Sequence, residues 1–172
     1  HGSGEEVLRD AQLALRRAKD EGGARIELSD PKSQADALRR LNLERELRRA
    51  LDDGEITPWF QPIVRLEDGV VVGFEALARL PKPDGSMISP AEVIPVAEEA
   101  GLIDALDARI LATACAEAAR WPGRGSRLPY VAVNVSAKKF GDPGLLDLVD
   151  RVLAETGLDP RRLKVEITEG TI

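Results

Sequence analysis

The stretch Val70-Val71-Val72-Gly73-Phe74-Glu75-Ala76-Leu77-Ala78-Arg79-Leu80 decides the reading of this chain. It opens on β-branched residues and continues with small and apolar ones, which predicts a strand over 70–80. Successive side chains of a strand point to opposite faces. Glu75, Leu77 and Arg79 then share one face, and Phe74, Ala76 and Ala78 the other. Residues 56–66 upstream are also strand-like, and Glu67-Asp68-Gly69 between the two reads as a hairpin turn.

Downstream, Ser89-Pro90-Ala91-Glu92 predicts a helix start, with a Ser N-cap, Pro at the first helical position and an acidic residue in the first turn. This helix ends at Gly101. An Ala-rich helix follows over 104–120, stopped by Trp121-Pro122-Gly123. Residues 130–136 are a β-branched strand, 145–156 a helix stopped by Gly157, and 163–168 a last strand. Strands alternating with helices require crossover connections and a parallel sheet with covered faces. The fold class is therefore α/β.

The N-terminal part has a different texture. Residues 5–21 predict an amphipathic helix, with Leu8, Ala11, Leu15 and Ala18 at helical spacing and Gly22-Gly23 as its stop. A short strand is expected at 24–28, broken by Ser29-Asp30-Pro31. A second helix is expected over 33–52, with an apolar stripe of Leu38, Leu41, Leu47 and Leu51 opposite an arginine-rich side. That stripe suits either docking on a neighbouring domain or a dimer seam.

Composition narrows the chemistry. Of 172 residues, 43% are hydrophobic and 31% charged, a globular balance. The net charge of −6 argues against a general nucleic-acid surface, so no DNA partner is expected. The single cysteine, Cys115, excludes an internal disulfide framework and a multi-cysteine zinc site. The single histidine is His1, within a His-Gly-Ser-Gly start that reads as an expression-tag remnant over 1–4. Imidazole general-base catalysis and histidine-bound zinc are thereby excluded. No apolar run approaches the roughly 20 residues of a membrane span, and no signal peptide is read, so a cytoplasmic location is expected.

Strand parity then assembles a candidate site. Val131, Val133 and Val135 form an apolar face suited to packing helices, with Ala132, Asn134 and Ser136 opposite. Leu163, Val165 and Ile167 do the same in the last strand, with Lys164, Glu166 and Thr168 opposite. Glu75, Asn134 and Glu166 thus fall on the face that the aliphatics leave free, near the strand C-terminal halves where ligands bind in such sheets. Two carboxylates and an amide oxygen are hard donors that suit Mg²⁺, Mn²⁺ or Ca²⁺. Each of the three would equally serve as a solvated rim position. Gln61, in Trp59-Phe60-Gln61-Pro62-Ile63, reads as a buried amide for a nucleobase edge, a phosphate or a neighbouring backbone group. Arg79 suits a bidentate phosphate clamp or a salt bridge to a carboxylate.

Taken together, these motifs resemble a known family. Gly73-Phe74-Glu75-Ala76-Leu77-Ala78-Arg79 resembles the signature of the EAL domains, the cyclic di-GMP-specific phosphodiesterases. Trp59-Phe60-Gln61-Pro62-Ile63-Val64 resembles their first strand, and Ser89-Pro90 with Ile94-Pro95-Val96-Ala97-Glu98-Glu99-Ala100-Gly101-Leu102-Ile103 their first barrel helix. Val133-Asn134-Val135-Ser136-Ala137 and Val165-Glu166-Ile167-Thr168-Glu169 resemble their asparagine strand and next acidic strand. The resemblance implies a (β/α)8 TIM-type barrel with an antiparallel first strand, of which 54–172 would be the N-terminal half. It implies Mg²⁺ or Mn²⁺ held by Glu75, Asn134 and Glu166, with Glu75 also catalytic. It implies cyclic di-GMP touched by Gln61, Leu77 and Arg79 and hydrolysed to linear pGpG.

The sequence from Arg9 to Lys19 resembles the last helix of GGDEF (diguanylate cyclase) domains, although Gln12 and Arg16 stand where that family usually has Asp and Tyr. Residues 5–31 would then be the tail of a GGDEF-like domain and 32–53 a connector helix. The later acidic pair, lysine, glutamate and glutamine of the EAL family have no counterpart here. The chain alone is therefore expected to be inactive, and to leave a sheet edge open to a homodimer or strand-paired oligomer. The alternative function is a non-catalytic module for cyclic di-GMP binding or protein interaction.

Overall fold

The computed structural model describes residues 4–20, 22–23, 31–82, 85–122, 128–136 and 143–167. The chain divides into two compact units, His1–Glu46 and Leu47–Ile172. The first holds helix α1 (Gly4–Asp20) and most of α2 (Pro31–Asp52). α1 stops where expected, with the Gly23 amide donating to the Ala18 carbonyl at 2.8 Å and both Gly22 and Gly23 at positive φ. Its apolar stripe is rotated from the expected one: Ala14 is buried, whereas Leu8 and Leu15 are exposed. The strand expected at 24–28 lies outside the described residues.

The second unit begins inside α2. Leu47 and Ala50 are fully buried there, one turn apart, and Leu51 is half-buried, while Leu38 and Leu41 further up the helix are exposed. The expected four-leucine stripe is therefore not one face. After α2 the order is β1 (Thr57–Val64), β2 (Val71–Pro81), β3 (Met87–Ile88), α3 (Pro90–Glu99), α4 (Ile103–Ala119), β4 (Tyr130–Val135), α5 (Pro143–Thr156) and β5 (Leu163–Ile167). The sheet runs β1-β2-β4-β5, with the short β3 paired to β2. β1 is antiparallel to β2, and β2, β4 and β5 are mutually parallel. The antiparallel first strand and the parallel remainder are as the sequence implied.

Local chemistry explains these elements. In the β1–β2 turn, Gly69 takes φ +68°, a conformation costly for residues with a Cβ. Asp68 accepts from the Val70 amide at 3.2 Å and pairs with Arg65, which holds its carboxyl below the usual range. Pro58 and Pro62 lack the amide a central strand needs on both sides, which fits a strand that pairs with β2 alone among the described residues. Before α3, Ser89 departs from expectation: its side chain makes no capping hydrogen bond, and its carbonyl accepts from Glu92 and Val93 instead. β3 was not expected, because two residues carry no readable alternation.

The helices cover one face of the sheet. Val131, Val133 and Val135 of β4 are at most 2% exposed, and α4 packs against β4, β1 and α5. α4 contributes Leu106, Ile110, Leu111, Ala114 and Ala118 to this layer. Phe60 and Phe74 meet Trp121 edge-on at 5.1 and 4.7 Å, locking the hairpin to the residues that follow α4. Arg162 is buried, donating to the Ala118 carbonyl at 2.7 Å and the Pro129 carbonyl at 2.9 Å. It thereby ties the end of α4 to the strands on either side of it. The apolar face expected for β5 is not covered: Val165 and Ile167 are exposed, because among the described residues no helix packs substantially over this outermost strand.

On the free face, Gly73 stands opposite Tyr130, whose ring lies flat over the Gly73 backbone. A Cβ on Gly73 would sit 2.7 Å from that ring. Gly73→Ala should destabilise the chain by about 1–3 kcal/mol through overpacking, and combining it with Tyr130→Ala should recover most of that loss. Urea unfolding of the four-member cycle checks this; additive losses would show that the two positions do not collide.

Candidate functional site

Register sets the geometry of the free face. Gln61 pairs with Glu75, Glu75 with Ala132, and Ala132 with Lys164, forming one row across the sheet. Two residues further toward the C-terminal ends of the parallel strands, Trp59 pairs with Leu77 and Asn134 with Glu166. Arg79 stands one more step along, opposite Thr57. All six residues singled out from sequence therefore share one face, as strand parity required.

Three of them form the centre. The Asn134 side-chain amide donates to Glu75 Oε1 at 2.8 Å, joining β2 to β4. Glu166 stands directly beside Asn134 on β5 and is exposed. The geometry is offset rather than level: Glu75 lies one row below the Asn134–Glu166 pair, and the side-chain amide crosses that offset. Because Asn134 uses its NH₂ toward Glu75, its Oδ1 is the atom left to act as a ligand or acceptor. Glu75 keeps its second carboxylate oxygen. Among the described residues no group of three or more His, Cys, Asp and Glu stands together. The oxygens that Glu75, Asn134 and Glu166 offer, two carboxylates and one amide, are hard donors of the kind that suits a hard divalent cation rather than zinc or copper.

The outlying residues depart from expectation in part. Gln61 is exposed rather than buried, since it sits on the outer strand. Arg79 does not meet a carboxylate in its described contacts. Its Nη1 donates to the Ala78 carbonyl at 3.0 Å and its guanidinium lies 5.5 Å over the Trp59 ring. Leu77 is half-buried between them and the centre.

Two contacts of the face were not expected. Trp59 is 53% exposed, a large ring held under Arg79. The Lys164 ammonium lies 3.6 Å over the Tyr130 ring, on the row of Glu75. Parity puts Lys164 on the face of Glu166 and Trp59 on the face of Gln61; the ring contacts that each makes come from the register between strands. Cys115 has no part here: it is fully buried in α4, and burial pushes its thiol up to about 11.

Residues 44–172 match the family model described as the EAL domain, and the chain belongs to this family. A protein of Sinorhizobium fredii designated y4lL is 44% identical over 98% of this chain, which spans 20% of that protein. The bifunctional diguanylate cyclase/cyclic di-GMP phosphodiesterase MucR of Pseudomonas aeruginosa is 34% identical over 96% of this chain, which spans 24% of it. The solved structure of the PaMucR phosphodiesterase in complex with c-di-GMP superposes with a TM-score of 0.68 at 35% identity, over 74% of this chain and 52% of that one. The α/β fold with its mixed sheet is that of EAL barrels, and the chain covers part of such a barrel. It spans about a fifth to a quarter of these curated relatives and about half of the solved chain.

The Glu75–Asn134 contact is itself measurable. In a cycle of Glu75→Ala, Asn134→Ala and the double variant, the pair should show a coupling of about 1 kcal/mol at neutral pH, modest because both residues are part-exposed. Thermal unfolding without divalent metal reads it; zero coupling would contradict the contact.

Proposed function

We propose that this chain is the N-terminal part of a cyclic di-GMP phosphodiesterase domain that hydrolyses one phosphodiester bond to give linear pGpG. The observation that carries this reading is the Asn134–Glu75 hydrogen bond with Glu166 alongside, on the strands of the family's motifs. Support also comes from relatives named as phosphodiesterases and from a solved relative holding c-di-GMP. Glu75, Asn134 and Glu166 would hold the Mg²⁺ or Mn²⁺. When bound, such an ion polarises the phosphoryl oxygens and supplies hydroxide from water near neutral pH.

The chain's own residues do the rest. Asn134 keeps the Glu75 carboxylate on the free face by donating to one of its oxygens. Arg79, held against Trp59, presents a fixed guanidinium to a phosphate. The open Trp59 ring offers a stacking surface for a guanine. Gln61, exposed beside Glu75, suits a base edge, and Leu77 fills the floor between. No step needs a histidine.

The domain boundaries belong to the same proposal: a GGDEF-like tail over 5–31, a connector over 32–53 and the EAL part from 54. The match to MucR over 96% of this chain extends into the N-terminal unit and favours a tandem arrangement. No helix among the described residues is long and apolar enough to cross a membrane.

Incubation with cyclic di-GMP and Mn²⁺, followed by chromatography of the products, tests the reading. The longer protein that contains this chain should release pGpG, and Glu75→Ala should lower the rate at least 100-fold. The chain alone should turn over negligibly. Micromolar binding by the longer protein without release would identify a binding module instead.

A further inference from the structure

Asn134 is the residue on which the candidate centre turns, and its own placement is not fixed by the sheet alone. The β2–β4 ladder runs from Gly73–Tyr130 only as far as Ala76–Val133. Beyond Val133, β4 is paired among the described residues on one side only, with β5 through Val135–Ile167. The end of β4 is held instead by a helix: the Ser136 amide donates to Asp107 Oδ2 at 3.0 Å. Asp107 lies in the second turn of α4, and Ser136 follows the last residue of β4, two residues after Asn134.

This contact is an unusual use of the interior. Asp107 is 7% exposed and Ser136 likewise. Ile103, Ile110 and Leu111, the residues one turn either side of Asp107, are all buried. A carboxylate thus occupies a position on the buried face of α4 where an aliphatic side chain would contribute more to stability. A buried carboxylate is costly unless hydrogen bonds compensate it, so its value lies in the geometry it enforces. Asp107, Ser136, Asn134 and Leu77 also line one cleft of about 100 Å³ between α3, α4 and the strand ends. The helix carboxylate and the site amide therefore stand at the same end of the sheet.

We infer that Asp107 is a positioning residue for Asn134: by fixing the Ser136 amide it sets the end of β4 and keeps the Asn134 side chain within reach of Glu75 and a metal ion. The inference rests on the reading of Asn134 as a ligand, and the readouts separate the two. Groups that hold a ligand in place typically govern metal affinity by 10–100-fold.

The test compares the wild-type chain with Asp107→Ala, Asp107→Asn and Asn134→Ala. Mn²⁺ binding is followed by electron paramagnetic resonance, and exchange of the Ser136 amide by hydrogen–deuterium exchange. Asp107→Asn retains an acceptor oxygen for Ser136 while losing the charge. Asp107→Ala should weaken Mn²⁺ binding at least 10-fold, as Asn134→Ala does, and should deprotect the Ser136 amide. Asp107→Asn should stay within about threefold of wild type and keep the amide protected, a rescue that a general loss of core packing would not show. Unchanged Mn²⁺ affinity in Asp107→Ala, or equal losses in both Asp107 variants, would overturn the inference. Wild-type protein that binds no Mn²⁺ would sink the ligand reading, while the exchange data would still decide whether Asp107 pins the strand end; an unprotected Ser136 amide in the wild type overturns that too.

Discussion

The register between β2 and β4 is the constraint on which the rest of this structure depends. Gly73 opposite Tyr130 and Ala76 opposite Val133 fix which side chains of the two strands share a face. A slip of one residue would turn Glu75 into the helix layer and bring Phe74 out, since the side-chain period of a strand is two. The register is held from both faces. Three valines of β4 bury against the helices, and on the other side the Tyr130 ring can lie over β2 only because Gly73 has no side chain. With these fixed, Glu75 and Asn134 stand on the same face of neighbouring strands, one row apart, and the Asp107 contact at the end of β4 completes the placement of the Asn134 amide.

Around that register the polar contacts serve to join elements. Arg162 carries the end of α4 to the loop before β4 and the start of β5. Arg109 of α4 donates to the Gly54 and Ile56 carbonyls, fastening the segment that enters β1. Asp107, two residues before Arg109, reaches the other way to the end of β4. α4 is thus apolar where it packs and polar where it touches the backbone of its neighbours. Buried backbone groups at strand ends need partners, and here long side chains from one helix supply several of them. The same helix that covers the sheet therefore also places the strand ends that carry the candidate site.

Much of this was legible in the sequence, for identifiable reasons. Alternation over 70–80 and 130–136 reported the faces, and the turn at Glu67-Asp68-Gly69 reported the hairpin. Proline and glycine marked the ends of α3, α4 and α5. What escaped was of three kinds. β3 is too short to show a period. The apolar faces of α1 and of the first half of α2 were misplaced, because leucines at helical spacing do not say which side is covered. The burial of Gln61 and of the β5 aliphatics was overestimated, because a strand's position at the edge of a sheet is a property of the order of strands and not of its own residues. Trp59 and Lys164 were readable by parity, yet they carry no charge pattern or motif that draws attention to them.

The central claim is that Glu75, Asn134 and Glu166 form one divalent-metal site on the free face of the sheet. The most direct measurement is anomalous diffraction from crystals of the protein grown with Mn²⁺. The account predicts an anomalous peak within coordination distance of a Glu75 carboxylate oxygen, Asn134 Oδ1 and a Glu166 carboxylate oxygen. Mn²⁺ bound elsewhere, with Asn134 still turned toward Glu75 and no peak between β2, β4 and β5, would contradict it.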